Sequence, residues 1–422
     1  MTRRLKILLS AYACSPFRGS EPGVGWGFVN ALAPFHDLWV IVEEEKFRED
    51  IETYLAEHPE FPDSVRFFFV RKKRNRSLRR IWPPSYYWYY RAWHRDAFRL
   101  ARDLHRRVGF DLVHQLTMVG YREPGYLWKL GIPFVWGPVG GMGFFPWRFL
   151  HKVGIYGAIY YAGYNLLNAL QMVFLSRPRR AGRAAGCGLI AATPENARLA
   201  ERLWKSRCTV LCEVGLPPAL QEHTVRRRSE GEPLRIAWSG QHIPRKALNL
   251  GLEALARLPG TIPWELHVLG EGARTRSWKR LARRLGMAHR CRFHGWIPRE
   301  EALGVLAQAH LFLITSLRDL TSTVTVEALA AGLPIVCPDH CGFAHVVDES
   351  CGIRVPVTRP SQTIEALARA VRTLAEDEGL RQRLAGGALA RARDFSWDRK
   401  AEVVNEIYRK RFHEAAARHT RT

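Results

Sequence analysis

The sequence predicts an α/β protein made of two halves, each a parallel sheet covered by helices, and three observations carry that prediction. At 422 residues and 47% hydrophobic composition the chain fits two cores of ordinary size better than one large core. Short apolar runs alternate with helix-period segments in two successive series. Between the series lies "EHTVRRRSEGEPLR", Glu222 to Arg235, charged and nearly free of apolar residues, which reads as a linker. The expected domains are 1–222 and 223–399, facing each other across a cleft at the carboxyl ends of their strands, where open α/β sheets bind ligands.

In the first half the strand candidates are "LKILLSAY", "LWVIVEE", "VRFFFV", "FDLVHQL", "PFVWGPV" and "GLIAATP". In the second they are "LRIAWSG", "WELHVLG", "CRFHGW", "LFLITS" and "PIVCPD", followed by helical "TIEALARAVRTLAED" and "LRQRLAGGALARARDF". The apolar stretch in "MTRRLKILLSAYACS" is short and runs directly into a glycine-rich segment, so it reads as a first strand rather than a signal peptide, and a cytoplasmic protein is expected.

A net charge of +24 and a pI near 10.2 favour a polyanionic partner: nucleic acid, an anionic lipid surface or a phosphorylated substrate. Eight cysteines are scattered with no CxxC pair and no zinc-finger spacing, so reduced thiols and no metal site are expected.

Chemistry concentrates in loops after strands. In "TSLRDLTSTVTVEALAAGLPIVCPD" a strand is followed by the hydroxyls of Thr321, Ser322 and Thr323 and then by a helix, an arrangement whose free amides and dipole favour an anion. Asp319 precedes that helix and Glu327 lies about a turn inside it, a spacing that places carboxylates for sugar hydroxyls on either side of a diphosphate. In "IAWSGQHIPRKALNLGLEAL" the adjacent Arg245 and Lys246 open another helix and form a charge clamp if they face such an anion site.

Asp319, Glu327 and the following "ALAAGLPIVCPD" resemble the E-x7-E signature of family 4 (group 1) glycosyltransferases of the GT-B fold. That fold consists of two facing Rossmann-like domains. By the resemblance Asp319 stands for the first Glu, which contacts the donor sugar, and Glu327 for the second, which binds the ribose. Leu320, Thr321 and Ser322 stand where Gly-Phe-Gly usually presents amides to phosphate. Lys246 matches the donor-diphosphate Lys, while Gln241 replaces the usual Arg and Arg245 is the substitute cation.

"LHVLGEGARTR" resembles the V-G-x-G-P segment, with Gly270, Gly272 and Arg274 on the donor side. "CRFHGWIPREE" resembles the segment whose backbone reads the nucleobase, around Trp296 and Ile297. "FSWDRKAEVVNEIYRKRF" resembles the closing helices, the last of which, at about 400–420, is expected to pack back on the first domain.

In the first half "FDLVHQLTM" resembles the D-x-x-H-x-H strand end, so His114 aligns with the first His and Leu116 with the second, leaving His114 or Thr117 to act beside the reacting sugar. "SPFRGSEPGVGWGF" has glycines at 23, 25 and 27 but no G-x-G-x-x-G, which argues against a dinucleotide. It resembles the family's first glycine loop, a lid over the donor diphosphate, with Gly23 and Gly25 on the donor and Gly19 and Glu21 on the acceptor side. Gly140 and Gly141 form a second glycine loop expected to shape the acceptor channel.

The resemblance implies transfer from a nucleoside-diphosphate sugar with retention, catalysed by His114, Asp319 and Lys246, with no cofactor and no metal. The acceptor is read from composition. From Arg71 to Arg107 thirteen Arg or Lys face only Asp96 and Asp103, interleaved with Trp82, Trp88, Trp93 and several tyrosines. A headgroup-level membrane surface selects that mixture, and so does single-stranded nucleic acid. "VGIYGAIYYAGYNLLNALQMVFL", Val153 to Leu175, is uncharged but carries three glycines and three amides, which favours a buried or interfacial helix over a span. A lipid-linked or glycan acceptor at the inner face of an anionic membrane is therefore expected, and no nucleic acid. The alternatives are a catalytically silent GT-B scaffold and a nucleic-acid binder using residues 71–107.

Overall fold

The computed structural model describes residues 3–73, 85–118, 120–217 and 224–419. The elements run β1 (Lys6–Ala11), α1 (Ser20–Leu32), β2 (Asp37–Glu43), α2 (Glu44–Glu57), β3 (Val65–Val70), α3 (Ser85–Val108), β4 (Leu112–Thr117), β5 (Phe134–Val139), α4 (Gly154–Phe174), α5 (Ser176–Ala185), β6 (Leu189–Ala191), α6 (Pro194–Trp204) and β7 (Thr209–Val210). They continue with β8 (Leu234–Ser239), α7 (Leu248–Leu255), β9 (Trp264–Leu269), α8 (Thr275–Arg284), β10 (Cys291–Gly295), α9 (Arg299–Ala307) and β11 (Leu311–Leu313). The chain ends with α10 (Thr323–Ala330), β12 (Ile335–Pro338), α11 (Phe343–Val346), β13 (Gly352–Val355), α12 (Pro360–Glu376), α13 (Glu378–Ala392) and α14 (Trp397–His419).

The chain divides into two compact units, one of residues 1–142, 171–215 and 397–422, the other of 143–170 and 216–396. This differs from a single boundary at 222 in assigning 143–170 to the second unit, where Phe145 stacks on Tyr161 with ring centroids 4.4 Å apart. The charged stretch before β8 is not a free linker in its described part. Arg228 donates to the Ala375 carbonyl at 2.5 Å and Arg226 to His310 at 3.1 Å, which ties it into the second unit.

Among the described residues the first unit holds a seven-stranded parallel sheet in the order β3-β2-β1-β4-β5-β6-β7, and the second a six-stranded parallel sheet in the order β10-β9-β8-β11-β12-β13. All six residues of β4 are buried, as is expected of a strand covered on both faces. In each sheet the order reverses at one point, between β1 and β4 and between β8 and β11. Loops leaving neighbouring strands there turn to opposite faces and open a crevice. The edge strands β7 and β13 have no counterpart among the predicted runs, being two and four residues long, the latter with a charged Arg354.

The C-terminal helix α14 belongs to the first unit. Its buried Lys400 donates to the Cys212 carbonyl at 2.6 Å, and Arg411 donates to the Ala184 carbonyl at 2.9 Å. At its start the Trp397 ring lies against Gly27 and Gly215, where a Cβ would come within 2.1 and 2.7 Å of it.

That packing corrects the reading of the first glycine stretch as a lid. Helix α1 begins at Ser20, so Gly23, Gly25 and Gly27 lie inside it. A Cβ at Gly23 would approach the Arg18 carbonyl oxygen to 2.7 Å, and one at Gly25 the Ala13 carbonyl oxygen to 2.1 Å. The glycines admit the rest of their own unit to the helix surface, and the cost of about 1 kcal/mol each in helix propensity is offset by that contact. Gly19 is the N-cap and Glu21 lies in the first turn.

Candidate active site

The crevice of the second unit is built by the loops after β8 and β11, whose strands pair directly, Leu311 opposite Ile236 and Phe312 opposite Ala237. After β8 the chain makes a single 3-10 turn, Pro244–Lys246, and enters α7. After β11 it runs through Thr315 to Ser322 into α10. Three hydrogen bonds fasten the loops together: Thr315 Oγ1 donates to the Lys246 carbonyl at 2.7 Å and accepts from Trp238 Nε1 at 2.9 Å, and the Leu317 amide donates to the Arg245 carbonyl at 2.8 Å. The two cations are thus held by backbone contacts, independent of their side chains.

Asp319 lies between them. Its Oδ2 is 2.6 Å from Lys246 Nζ and its Oδ1 is 3.0 Å from Arg245 Nη1, with the Leu320 amide on Oδ1 at 3.1 Å. Burial alone pushes the Asp319 carboxyl up, but Lys246 and Arg245 together outweigh burial and hold it below the ordinary carboxylate range. One carboxylate against two cations leaves one positive charge in surplus at this spot. Lys246 Nζ also reaches Ser322 Oγ at 3.4 Å. Arg318, which the sequence reading did not single out, stacks its guanidinium 3.8 Å over the Tyr164 ring.

Ser322 is the N-cap of α10 and has φ +69°, the left-handed region that favours glycine. The family pattern has glycine at this position, so the backbone keeps the glycine conformation with a serine in it. Thr323 opens the helix half-buried. Thr321 departs from its expected donor role. It is fully buried, and its hydroxyl packs against Gly342, where a Cβ would come within 2.5 Å of it.

Within α10, Glu327 accepts both Nε and Nη2 of Arg299, at 3.1 and 2.7 Å. Arg299 is a second residue missed from sequence, although it follows Pro298 directly and opens α9. Trp296 is exposed and Ile297 half-buried. The glycines after β9 have a packing role: a Cβ at Gly270 would lie 2.3 Å from the Gly240 carbonyl oxygen and one at Gly272 2.7 Å from that of His242. Arg274 does not aim its guanidinium at Lys246 and Asp319; it donates to the carbonyl of Val153 at the foot of α4.

In the first unit the structure overturns the catalytic reading of His114. The ring has no exposed surface; Nε2 lies 2.8 Å from the Gly137 carbonyl, to which it donates, and Nδ1 lies 2.7 Å from the Tyr408 hydroxyl, from which it accepts. Burial depresses it to about 4, although the Gly137 carbonyl pulls the other way, so the ring is a neutral structural link between β4, β5 and α14. Thr117 is likewise buried, its Oγ1 accepting from the Ala13 amide at 3.2 Å. Gly140 accepts from the Tyr121 amide, and Gly141 has φ +82°.

Much of the aromatic tract is core. Tyr90 and Trp93 are buried edge-on to Tyr12, while Tyr87 and Trp88 are exposed. Residues 74–84 of the tract, including Trp82, lie outside the described residues. Among the described residues no cluster of three or more His, Cys, Asp or Glu is placed to hold a metal ion, and no helix is long and apolar enough to cross a membrane.

Comparison with known proteins fits this geometry. Residues 221–390, which include the β8 and β11 loops, match the sequence model of the family described as glycosyl transferases group 1. Over 147 residues the chain is 32% identical to a lipopolysaccharide core biosynthesis glycosyltransferase, LpsE, of Rhizobium meliloti, covering 35% of this chain and 41% of that protein. Over 203 residues it is 30% identical to a D-inositol 3-phosphate glycosyltransferase of Corynebacterium diphtheriae, covering 45% and 47%. The chain therefore spans less than half the length of these curated relatives.

Two solved structures are alike over nearly all of the chain. HepE of Anabaena in complex with UDP has a TM-score of 0.59 at 17% identity, covering 98% of this chain and 100% of that one. The lipopolysaccharide outer core galactosyltransferase WaaB has a TM-score of 0.62 at 16% identity, covering 98% and 99%. The chain thus consists of two Rossmann-like parallel-sheet units of the GT-B class, and its residues 221–390 carry the segment shared by the group 1 glycosyl transferases.

Proposed function

We propose that the protein transfers a sugar from a nucleoside-diphosphate sugar to a lipid-linked or membrane-bound glycan acceptor, with retention, as a family 4 enzyme working at the inner face of an anionic membrane. The observation that carries this reading is the Arg245, Lys246 and Asp319 cluster at the start of α10, with its one surplus positive charge. The relatives named for lipopolysaccharide core assembly and the neighbour solved with UDP support it.

In this mechanism the donor diphosphate takes Lys246 and Arg245 from Asp319, and the freed carboxylate accepts a hydroxyl of the donor sugar. The bond between the anomeric carbon and the leaving phosphate oxygen breaks, and the negative charge that develops there is stabilised by both cations and the first amides of α10. The acceptor oxygen bonds to the anomeric carbon on the same face, and its proton passes to the departing phosphate. No histidine base is required, which agrees with the buried state of His114. The chain's own cations do the work, and no resident metal or cofactor is invoked.

The test is release of nucleoside diphosphate from a panel of nucleoside-diphosphate sugars, with Glu327→Ala as the comparison. Turnover or binding of one donor that is lost in the variant is the expected result. No binding of any donor by the wild-type chain, together with tight binding of single-stranded RNA, would overturn it.

A further inference from the structure

Helix α4 is about 31 Å long at 1.5 Å per residue and carries no charged side chain. Its apolar residues divide by face. Tyr161 and Met172 are buried, with the amides of Asn165 and Asn168 on the same side, Asn165 bonding both the amide and the carbonyl of Phe145 at 2.9 and 2.8 Å. On the other side Ile155, Tyr156, Ile159, Tyr160, Leu166 and Leu170 are all exposed, from 47% to 88%. At 100° per residue these six fall within an arc of about 140°, one continuous apolar stripe. Isolated exposed apolar residues are ordinary; a stripe running the length of a helix is not.

The charges around the stripe say what covers it. Residues 124–194 contain seven Lys or Arg and no Asp or Glu. Arg148, His151 and Lys152 immediately precede the helix, and Arg179, Arg180 and Arg183 follow it on α5, where Arg177 is instead taken by Glu123 at 2.5 and 2.8 Å. Beside the turn that precedes it, a depression of about 550 Å³ is lined by Arg148, His151, Lys152, Arg257 and Arg359, with Glu253, which pairs with Lys152 at 2.7 Å, as its one carboxylate. Tyrosines stand in the stripe and the exposed Trp147 just before it, the residues that prefer the headgroup level. A second copy of this surface would place cations against cations, whereas an anionic bilayer offers acyl chains to the stripe and phosphates to its basic flanks.

We infer that α4 lies in the plane of an anionic bilayer surface, with its exposed apolar stripe in the acyl boundary and its basic flanks on lipid phosphates. This rests on the membrane part of the proposed function and deepens it, since it moves the docking surface from the aromatic tract at 71–107 to α4.

The test is flotation of the full chain with vesicles of phosphatidylcholine containing phosphatidylglycerol, against phosphatidylcholine alone, comparing wild type with the Ile159→Ser/Leu166→Ser/Leu170→Ser variant. The wild type floats with the anionic vesicles in a salt-sensitive manner, and the variant binds at least about tenfold less with an unchanged melting temperature. Equal flotation of the variant would overturn the inference while leaving the membrane reading in place, because another surface would then be docking. Failure of the wild type to float, or a wild-type dimer in solution that the variant dissolves, also overturns it. Binding of a nucleoside diphosphate, followed by thermal shift in the same samples, is unchanged in the variant; its absence in both proteins counts against the transferase reading alone.

Discussion

Lys246 Nζ lies 2.6 Å from Asp319 Oδ2, and both side chains are nearly closed to solvent, at 9% and 14% exposure. Asp319 has a second cation in Arg245, 3.0 Å away, whereas among the described residues Lys246 pairs with no carboxylate but that of Asp319. The two partners are therefore unequal. Asp319→Asn leaves a buried ammonium without its counter-charge and is expected to cost about 3–5 kcal/mol. Lys246→Met leaves Asp319 with Arg245 and costs less, and the double variant loses less than the sum of the two. Urea unfolding of the three variants measures this; equal losses for both single variants would show that Arg245 does not compensate Asp319 for the loss of Lys246.

For the donor the order reverses. Lys246→Met removes a charge-assisted bond to the diphosphate and is expected to weaken nucleoside-diphosphate binding about tenfold to a hundredfold, since such bonds contribute about 1.5–3 kcal/mol. Titration calorimetry at fixed ionic strength reads the effect. An affinity equal to that of wild type would remove Lys246 from the donor site.

Glu327 and Arg299 form a forked pair, but Arg299 is 58% exposed, so the pair itself contributes little to stability. Arg299→Ala is expected to change the melting temperature by no more than a degree or so, while Glu327→Ala loses donor binding. If both variants lose binding equally, Glu327 acts through Arg299 rather than by touching the nucleoside.

Helix glycines give opposite signs for the same substitution. Gly27→Ala would place a Cβ 2.1 Å from the Trp397 ring and is expected to cost about 1–3 kcal/mol through overpacking, whereas Gly163→Ala, within α4 and with nothing within 4 Å, is expected to gain up to about 1 kcal/mol. Chemical denaturation of the two variants checks this, and a destabilised Gly163→Ala would mean that its face is covered.

These glycines also mark where the sequence stopped being readable. The central strands were legible because burial on both faces leaves continuous apolar runs such as "LKILLSAY" and "LWVIVEE", which need no distant information. Three glycines in five residues count locally against a helix, and what compensates them, the Trp397 ring and the Ala13 carbonyl, is supplied by the folded unit and is invisible in the window. His114 failed for the same reason, since its partner Tyr408 is 294 positions away. Asp319, Glu327 and Lys246 could be singled out because the pattern they resemble is local in sequence, a residue type at a fixed distance from a strand end and a helix start. That Asp319 itself holds both cations depends on how two loops meet.

The last prediction concerns pH. His114 and His94 are buried, and burial depresses them to about 4 and about 3, with Arg177 and Lys72 adding to the effect at His94. Both are neutral in the fold but take up protons near pH 6.5 when unfolded. Their contribution is complete above about 6.5 and is lost as pH falls, at about 1.4 kcal/mol per pH unit for each ring, until the folded ring itself titrates. Glu378 works in a lower window. Burial raises it, but Arg381 and its other partners outweigh burial and bring it to about 2, so its share is present above the ordinary carboxylate value and lost only below it. Loss of stability between pH 6.5 and 4.5 therefore belongs to the histidines. His114→Asn, which has no proton to take up, is expected to be less stable at pH 7 yet to show a shallower fall over that range, and a slope equal to that of wild type would mean that the His114 ring is accessible to protons in the fold.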